Sequence, residues 1–484
     1  MHNIIHFETL GCRLNQDETE GAARKFTDAG FVCSLEGVTS SSPVNEDVLL
    51  CIVNTCTVTA KAEQKARRII RLLLEKFPSA PVIVTGCYAQ LDGPAIELMD
   101  SSRIVILSGN KKQLLADVAK KFKGYKNILS CDLKAFFDQT SSQESSEKNQ
   151  KTTVQNAFLL YTPVFEKHSR ASIKIQDGCN NACTFCRIHL ARGKSVSLAP
   201  EEVLRRVLEL EGRGIGEVVF TGVNLSQYSG ESKDGKSADF ASLLEFLLKS
   251  TKIIKFRISS FYPQHITERL CGVLEDSRIQ PSFHLSVQSG SDAILRKMAR
   301  PYRAEDVFKA VELLRRAKNN PFIGCDIIAG FPGESEEDFA LTEKLCKKVS
   351  FAWIHAFPFS PRPGTPAFSM KDQIPSGVKS QRVKTLTSLA VEGKISYIKS
   401  CLGQVFSAVC ENSRSDRLVS IAMPSSSRPA VVHAVTSNFL HCKCILPMGV
   451  EVPAPSSIVN VRITEPLVDS IKNGGEEECL AEIT

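Results

Sequence analysis

Three cysteines fall within eight residues in Cys179-Asn-Asn-Ala-Cys183-Thr-Phe-Cys186, spaced four and then three apart. Thiolates are soft ligands that hold iron–sulfur clusters and zinc. Three close cysteines without a fourth at matching spacing leave one metal position open. A closed structural zinc site takes four ligands, usually as paired Cys-x-x-Cys knuckles. Zinc and buried apolar thiols are the competing readings. The preceding Ser172-Ile-Lys-Ile-Gln-Asp-Gly178 reads as a strand running into a tight glycine turn. The cysteines therefore sit on a loop at the mouth of a strand, where function collects in parallel α/β folds.

Three further cysteines occupy equivalent places near the start of the chain. Cys12 follows a first strand in Leu10-Gly-Cys-Arg-Leu-Asn-Gln16, Cys56 a second in Val53-Asn-Thr-Cys-Thr-Val58, and Cys87 a third in Thr85-Gly-Cys-Tyr-Ala-Gln90. In an open α/β sheet the carboxyl ends of the strands form one crevice. Cys12, Cys56 and Cys87 can therefore converge, which suggests a second cluster, again one ligand short. Cys33 and Cys51 read as packed core residues.

The elements that must position these thiols form three units. Residues 1–137 alternate strands and helices. Strands are expected at His6–Leu10, Val48–Val53, Pro81–Gly86 and Ile104–Leu107, and helices at Gln16–Ala29, Val58–Phe77 and from about Lys111. This is a small doubly wound α/β domain. Residues 138–157 are polar and low in complexity and read as a flexible linker. Residues 158–400 repeat strand and helix, with strands expected at Val218–Gly222, Phe256–Ser260, Ser282–Ser286, Gly324–Gly330 and Trp353–Phe357. With the cysteine strand they make about six βα units, curled by right-handed crossovers into a barrel-like sheet. A trailing helix, Lys379–Lys399, carries a basic face of Lys379, Arg382, Lys384, Lys394 and Lys399. Residues 401–484 turn to short β segments, among them 404–409, 417–421, 430–435 and 457–463, and read as a small β-barrel. His441-Cys-Lys-Cys444 lies in an expected strand, where alternate residues face opposite ways, and reads as packing.

Composition sets the frame. The 484 residues are 43% hydrophobic and 23% charged, as in an ordinary soluble protein of two to four domains. No apolar run approaches the ~20 residues that span a membrane, and the start lacks the basic and apolar stretches of a signal peptide. A cytoplasmic location is expected. Seventeen irregularly spaced cysteines then argue for metal or thiol chemistry rather than disulfides. A net charge of +7 is compatible with nucleic acid. Basic helices at 61–76, 111–126 and 379–399 are the expected RNA-facing surfaces, since acids slightly outnumber bases beyond residue 400.

The Cys179–Cys186 loop, with Phe185 before its third cysteine, resembles the signature of radical S-adenosylmethionine (SAM) enzymes. Preceded by an α/β domain with three spaced cysteines, it resembles the methylthiotransferase family over essentially the whole chain. Gly11-Cys-Arg-Leu-Asn-Gln16 looks most like the branch acting on threonylcarbamoyladenosine of tRNA. Branches acting on isopentenyladenosine or a ribosomal protein typically have Gly-Cys-Gln-Met-Asn or Gly-Cys-Pro-Lys-Asn there.

The resemblance implies a partial (β/α)6 barrel, a C-terminal OB-like RNA-binding (TRAM) module, two 4Fe–4S clusters and SAM. Cys179, Cys183 and Cys186 would hold the radical-generating cluster; Cys12, Cys56 and Cys87 would hold the auxiliary one. Phe185, Thr221, Gly222, Asn224, Gln288, Ser289 and Gly290 would lie near SAM. Arg300 or Arg303 would neutralise the SAM carboxylate or an RNA phosphate, and Arg192 matches a family arginine. The implied partners are a tRNA anticodon loop, an electron donor such as flavodoxin or ferredoxin, and a sulfur donor. The implied reaction inserts a methylthio group at C2 of adenosine 37. A non-enzymatic iron–sulfur RNA-binding sensor is the reading from another class. Two positions depart from the family: His189 stands where proline is usual, and Tyr262 where glutamate is usual.

Overall fold

Continuous apolar runs become the buried strands of a parallel sheet, because such strands are covered on both faces. In the computed structural model, which describes residues 3–144, 156–165, 170–411, 430–446 and 450–484, the first sheet contains β1 (Ile4–Thr9), β2 (Val32–Ser34), β3 (Val48–Thr55), β4 (Val82–Gly86) and β5 (Ile104–Ile106). Their order is β2-β1-β3-β4-β5, all parallel. Every residue of β3 is buried. On one face lie α1 (Arg13–Asp28), α4 (Leu115–Lys121) and α5 (Ser130–Glu144); on the other lie α2 (Ala60–Lys76) and α3 (Cys87–Glu97). The strand order reverses beside β1, so the carboxyl ends of β1 and β3 open the crevice expected at a switch point.

Two glycines let that crevice close. Gly11 has φ +101°, and a Cβ there would lie 2.4 Å from Cys56 Cβ. Gly86, at φ +95°, would place a Cβ 2.4 Å from the Thr55 carbonyl oxygen. Only glycine suits both the left-handed backbone and the contact.

The expected linker at 138–157 differs in its ends. Residues up to Glu144 continue α5; residues 145–155 lie outside the described residues. Phe158 then joins the core of the second domain. The helix expected from Lys111 starts as a 3-10 turn, Gly109–Leu114, before α4.

The second domain holds six parallel strands in two halves. β6 (Ala171–Lys174), β9 (Glu217–Thr221) and β12 (Lys255–Ile258) form one; β13 (Ser282–Gln288), β14 (Phe322–Ala329) and β15 (Trp353–Pro358) form the other. Isolated bridges, Phe256 to Ile279 and Phe261 to Leu285, join them. Two short ladders, β7 (Gln176–Asp177) with β8 (Val196–Ser197) and β10 (Ser229–Glu231) with β11 (Ser237–Asp239), decorate the first half. This is the partial (β/α)6 barrel.

The last domain is a closed barrel ordered β16-β17-β18-β20-β19. Its strands are β16 (Val405–Cys410), β17 (Val431–Thr436), β18 (His441–Ile445), β19 (Ile458–Pro466) and β20 (Cys479–Ile483). The segment expected at 417–421 lies outside the described residues. Cys442 and Cys444 face the interior, with Cys442 Sγ 3.3 Å from Cys479 Sγ.

Helix Ser376–Ser400 corrects the expected basic face. Arg382 pairs with Glu334 at 2.7 Å and Lys394 with Glu478 at 2.6 Å, both cations buried. Lys384 and Lys399 alone of the five named bases are exposed. A basic run read along one helix face was in part a set of tertiary ion pairs.

One buried pair joins the two barrels. Arg257 bonds Glu217 at 2.7 Å and donates to the Thr436 carbonyl at 3.1 Å. Removing one partner of a buried pair strands the other. We expect Arg257→Leu to lower unfolding free energy by about 3–5 kcal/mol, read as a shift of the denaturant midpoint.

Two cysteine triads facing across a pair of arginines

The Cys179–Cys186 loop is held from several sides. Cys179 N donates to the Gly193 carbonyl at 3.0 Å and Thr184 N to the Met298 carbonyl at 3.1 Å. The Thr184 carbonyl accepts from Ala367 N at 2.9 Å. Phe185 packs edge-on against Phe331, which packs against Phe359. Burial, together with the neighbouring Cys183 and Cys179, pushes the Cys186 thiol up to about 11. Burial also raises Cys179, with Cys183 adding to it. Ile188 N points at Cys186 Sγ from 3.4 Å, and Asn224 Nδ2 at Cys179 Sγ from 4.0 Å.

The second triad collects at the carboxyl end of the first sheet. Cys12 caps α1, Cys56 follows β3, and Cys87 opens α3. Two of the thiols thus stand at helix N-termini, and burial raises that of Cys12. Burial pushes Cys56 up to about 11, and Cys12 and Cys87 push the same way. The three separated cysteines are therefore neighbours.

Two arginines bracket the short helix Ile188–Arg192 and tie the triads together. Arg187, next to Cys186, donates to Thr57 Oγ1, next to Cys56, at 3.2 Å. It also pairs with Glu63 at 3.2 Å and Asp92 at 3.1 Å. Arg362 reaches the same Glu63. Arg192 pairs with Glu18 at 3.0 Å and Asp177 at 2.9 Å, and donates to Asn15 Oδ1 at 2.7 Å. Cys87 and Cys12 both lie within its electrostatic reach. Glu18 further receives Lys174 at 2.7 Å and, more closely, Lys112. Burial alone would raise the Glu18 carboxyl; Arg192, Lys112 and Lys174 hold it well below the usual range.

A model described as the radical SAM superfamily matches residues 173–346, and one described as uncharacterized protein family UPF0004 matches residues 4–107. The chain is 42% identical to threonylcarbamoyladenosine tRNA methylthiotransferase MtaB of Treponema pallidum, over 94% of this chain and 97% of that protein. The chain belongs to the methylthiotransferase family of radical SAM enzymes. It is 34% identical to the MtaB of Bacillus subtilis, with 80% of each covered. It is 30% identical to the tRNA-2-methylthio-N(6)-dimethylallyladenosine synthase of Anaplasma phagocytophilum, over 90% and 96%. Its fold matches that of the radical SAM methyltransferase TsrM from Kitasatospora setae, with TM-score 0.51, 12% identity and coverage of 84% and 81%.

This methylthiotransferase works with SAM and 4Fe–4S clusters, and the thiols suit that chemistry. Among the described residues no three His, Cys, Asp or Glu side chains converge on a point that a single ion would occupy.

The residues expected near SAM divide into two groups. Phe185, Asn224 and Arg300 border the cysteine loop. Arg300 lies over Tyr262 at 4.5 Å, Phe185 at 5.5 Å and Tyr302 at 5.8 Å. Its Nε and Nη1, and Asn224 Oδ1, are buried with no partner among the described residues. Such orphaned groups at a cleft are what a polar ligand would satisfy. Gly222 gives Gln176 room: a Cβ there would meet its Oε1 at 3.0 Å. Gln288 takes a left-handed φ of +68°.

Three others have side chains or backbone engaged elsewhere. Thr221 donates to Asp17 Oδ2 of α1 at 3.0 Å. Ser289 and Gly290 contact Thr342 Oγ1 at 3.3 and 3.0 Å, and so lock against helix Glu336–Val349. Arg303 is exposed at the start of helix Ala304–Ala317. His189 Nδ1 is buried and unpartnered among the described residues.

Glu18, Asp17, Glu63, Arg187 and Arg362 were missed by sequence reasoning. The available signal was the spacing of Asn15 and Glu18, about one turn apart on the helix that Cys12 caps.

The Glu18 knot sets a pH dependence. A carboxyl whose pKa falls on folding adds stability above its unfolded pKa and loses it as pH drops through the folded value. We expect Glu18→Gln to be about 3–5 kcal/mol less stable at neutral pH. The difference from wild type should shrink once pH falls below about 4, as measured by denaturation across pH.

Proposed function

We propose that this enzyme inserts a methylthio group at C2 of N6-threonylcarbamoyladenosine 37 in tRNA. The observation that carries the reading is the pair of cysteine triads facing each other across Arg187 and Arg192. One thiol triad beside a ligand cleft suits a radical source; a second beside it suits a sulfur carrier. In this reading Cys179, Cys183 and Cys186 hold the radical cluster and Cys12, Cys56 and Cys87 the auxiliary cluster. When bound, the radical cluster and SAM supply a carbon radical strong enough to take the unactivated hydrogen from C2 of adenine.

The chain's own residues do the positioning. Cys56 and Cys186, protonated at neutral pH when free of metal because burial raises them to about 11, must release protons as they ligate. Arg300 offers two free N–H groups to the SAM carboxylate, and Asn224 an acceptor to its amino group. Arg187 and Arg192 keep the triads at fixed separation and place cations beside an auxiliary site that would carry anionic sulfur.

RNA would approach along α2. Lys61, Lys65, Arg68 and Arg71 are exposed on one face, while Glu63 of the same helix is bonded to Arg187 and Arg362 inside. Cationic helix faces bind phosphate without reading sequence. The C-terminal barrel would add RNA contacts as a TRAM-like module, and the base must be splayed from its loop to reach the barrel mouth. A reductant and a sulfur donor are required partners. Among the described residues no helix is long and apolar enough to cross a membrane.

Nucleoside mass spectrometry of tRNA from cells with and without the gene tests the reading. We expect 2-methylthio-threonylcarbamoyladenosine to vanish in the deletion and its unthiolated precursor to accumulate; an unchanged nucleoside would refute the substrate. Complementation with Cys56→Ala or Cys183→Ala should restore no product. Each purified variant should bind one cluster's worth less iron than wild type after reconstitution.

A further inference from the structure

The concave face of the partial barrel carries side chains that neither cysteine triad uses. Along β13, β14 and β15, Leu285, Cys325 and Ile354 face the helix-covered core. Alternate residues on paired strands face the other way. His284, Asp326, Trp353, His355 and Phe357 accordingly share the opposite face, with Asp326 beside His355 in register and Ile328 beside Phe357. Their contacts confirm it. His284 Nε2 lies 3.0 Å from Asp326 Oδ1, and the His284 and His355 rings are 5.4 Å apart. Trp353 Nε1 donates to His355 Nδ1 at 3.3 Å. The His355 and Phe357 rings are 6.3 Å apart and within 15° of parallel.

The Phe357 end of this set lies towards the cysteine loop, while Trp353 at the other end packs against the core of the C-terminal barrel. Phe357 is 44% exposed, and His355 is exposed beside it. Two residues further on, Phe359 is buried against Phe331, which holds Phe185 of the loop. Tyr302 donates to the Val287 carbonyl of β13 at 3.0 Å and lies under Arg300. Exposed, nearly parallel rings at a barrel mouth make a stacking platform for a flat base.

The polar groups beside the platform are also committed in one sense only. The bond from Trp353 fixes the His355 tautomer, leaving Nε2–H as its free donor. The side chains packed around His355, and then His284, lower its pKa against the opposing pull of Asp326. His284 occupies one Asp326 oxygen, so the other remains an acceptor.

We propose that this face selects the N6 substituent of the substrate base. Adenine stacks on Phe357 and His355, and its N6 arm is read by the His355 donor and the Asp326 acceptor. The assignment rests on the threonylcarbamoyladenosine reading above. That arm offers a carboxylate to the donor and a hydroxyl or amide N–H to the acceptor. An isopentenyl arm meets neither and leaves both groups unpaired, which is how a hydrogen-bonding site rejects an apolar analogue.

The test uses the reconstituted full-length enzyme and two anticodon stem–loop RNAs, one carrying threonylcarbamoyladenosine and one isopentenyladenosine. The ratio of kcat/KM for the two RNAs is compared among wild type, His355→Phe, His355→Gln and Asp326→Asn. We expect wild type to favour the threonylcarbamoyl RNA, and His355→Phe and Asp326→Asn each to cut the ratio by ~10-fold or more. His355→Gln, which keeps a donor, should recover part of it. Phe357→Ala should raise KM for both RNAs and leave the ratio alone. Fluorescence-anisotropy binding of the same RNAs without reductant reads the preference for any variant that reconstitutes poorly. An undiminished ratio in both His355→Phe and Asp326→Asn, with wild type modifying the threonylcarbamoyl RNA, overturns the assignment. A wild type that itself fails to favour that RNA refutes the substrate reading, and the polar-arm assignment with it.

Discussion

Glu18 is the constraint on which the arrangement of this molecule turns. Its carboxylate is buried, and its three cations come from three places: Lys112 from the turn before α4, Lys174 from β6, and Arg192 from just beyond the cysteine loop. A lone buried carboxylate would be expelled or protonated. Satisfying Glu18 therefore requires that the α/β domain and the barrel meet in one orientation. Asp17 adds to this by holding Thr221 at the end of β9 and Ser172 in β6. Buried ion pairs are a weak source of net stability, since desolvation offsets much of their attraction. Their geometric demands are strict, however. For two thiol triads held on separate domains, orientation is the quantity that matters.

The opposite side of the junction repeats the device with the same signs. There one acid, Glu63, takes Arg187 and Arg362, and Thr57 accepts from both arginines. The Arg187–Thr57 bond joins direct neighbours of two cysteines, since Arg187 follows Cys186 and Thr57 follows Cys56, and Arg192 reaches Asn15 in the first turn after Cys12. The chain thus couples the triads through their immediate neighbours rather than through the thiols, which stay available for metal. Helix α2 serves two purposes at once, with Glu63 turned inward and Lys61, Lys65 and Arg68 turned to solvent.

Much of this was legible in the sequence, for identifiable reasons. Val48–Val53 and Pro81–Gly86 read as parallel strands because both faces of such strands are apolar. The cysteine positions read as strand ends because each follows such a run by a few residues. What the sequence hid was polar burial. In α1, Asn15, Asp17, Glu18, Thr19 and Glu20 are all buried, yet a helix with so many polar residues reads as solvent-facing. Arg382 and Lys394 misled in the same way: a basic helix face and a row of tertiary ion pairs have one pattern. Thr221 followed a strand end like a ligand contact, and its hydroxyl faces Asp17 instead. Hydropathy patterns record which residues avoid water. They do not record which polar residues have found partners far away along the chain.

The two departures from family pattern replace neither a cysteine nor one of the arginines that join the triads, where one lost partner would strand a buried charge. His189 stands between Arg187 and Arg192, in the short helix they bracket. Tyr262 instead lies at the cleft, with its ring against the Arg300 guanidinium. A carboxylate in that place would take the arginine's donors for itself. A phenol ring attracts the cation through its face, while Nε and Nη1 remain uncommitted. The substitution keeps Arg300 positioned and leaves its hydrogen bonds to whatever enters the cleft. A junction built from buried charges resists change; a cleft built from cation–ring contacts can vary its walls and still hold the same guanidinium in place.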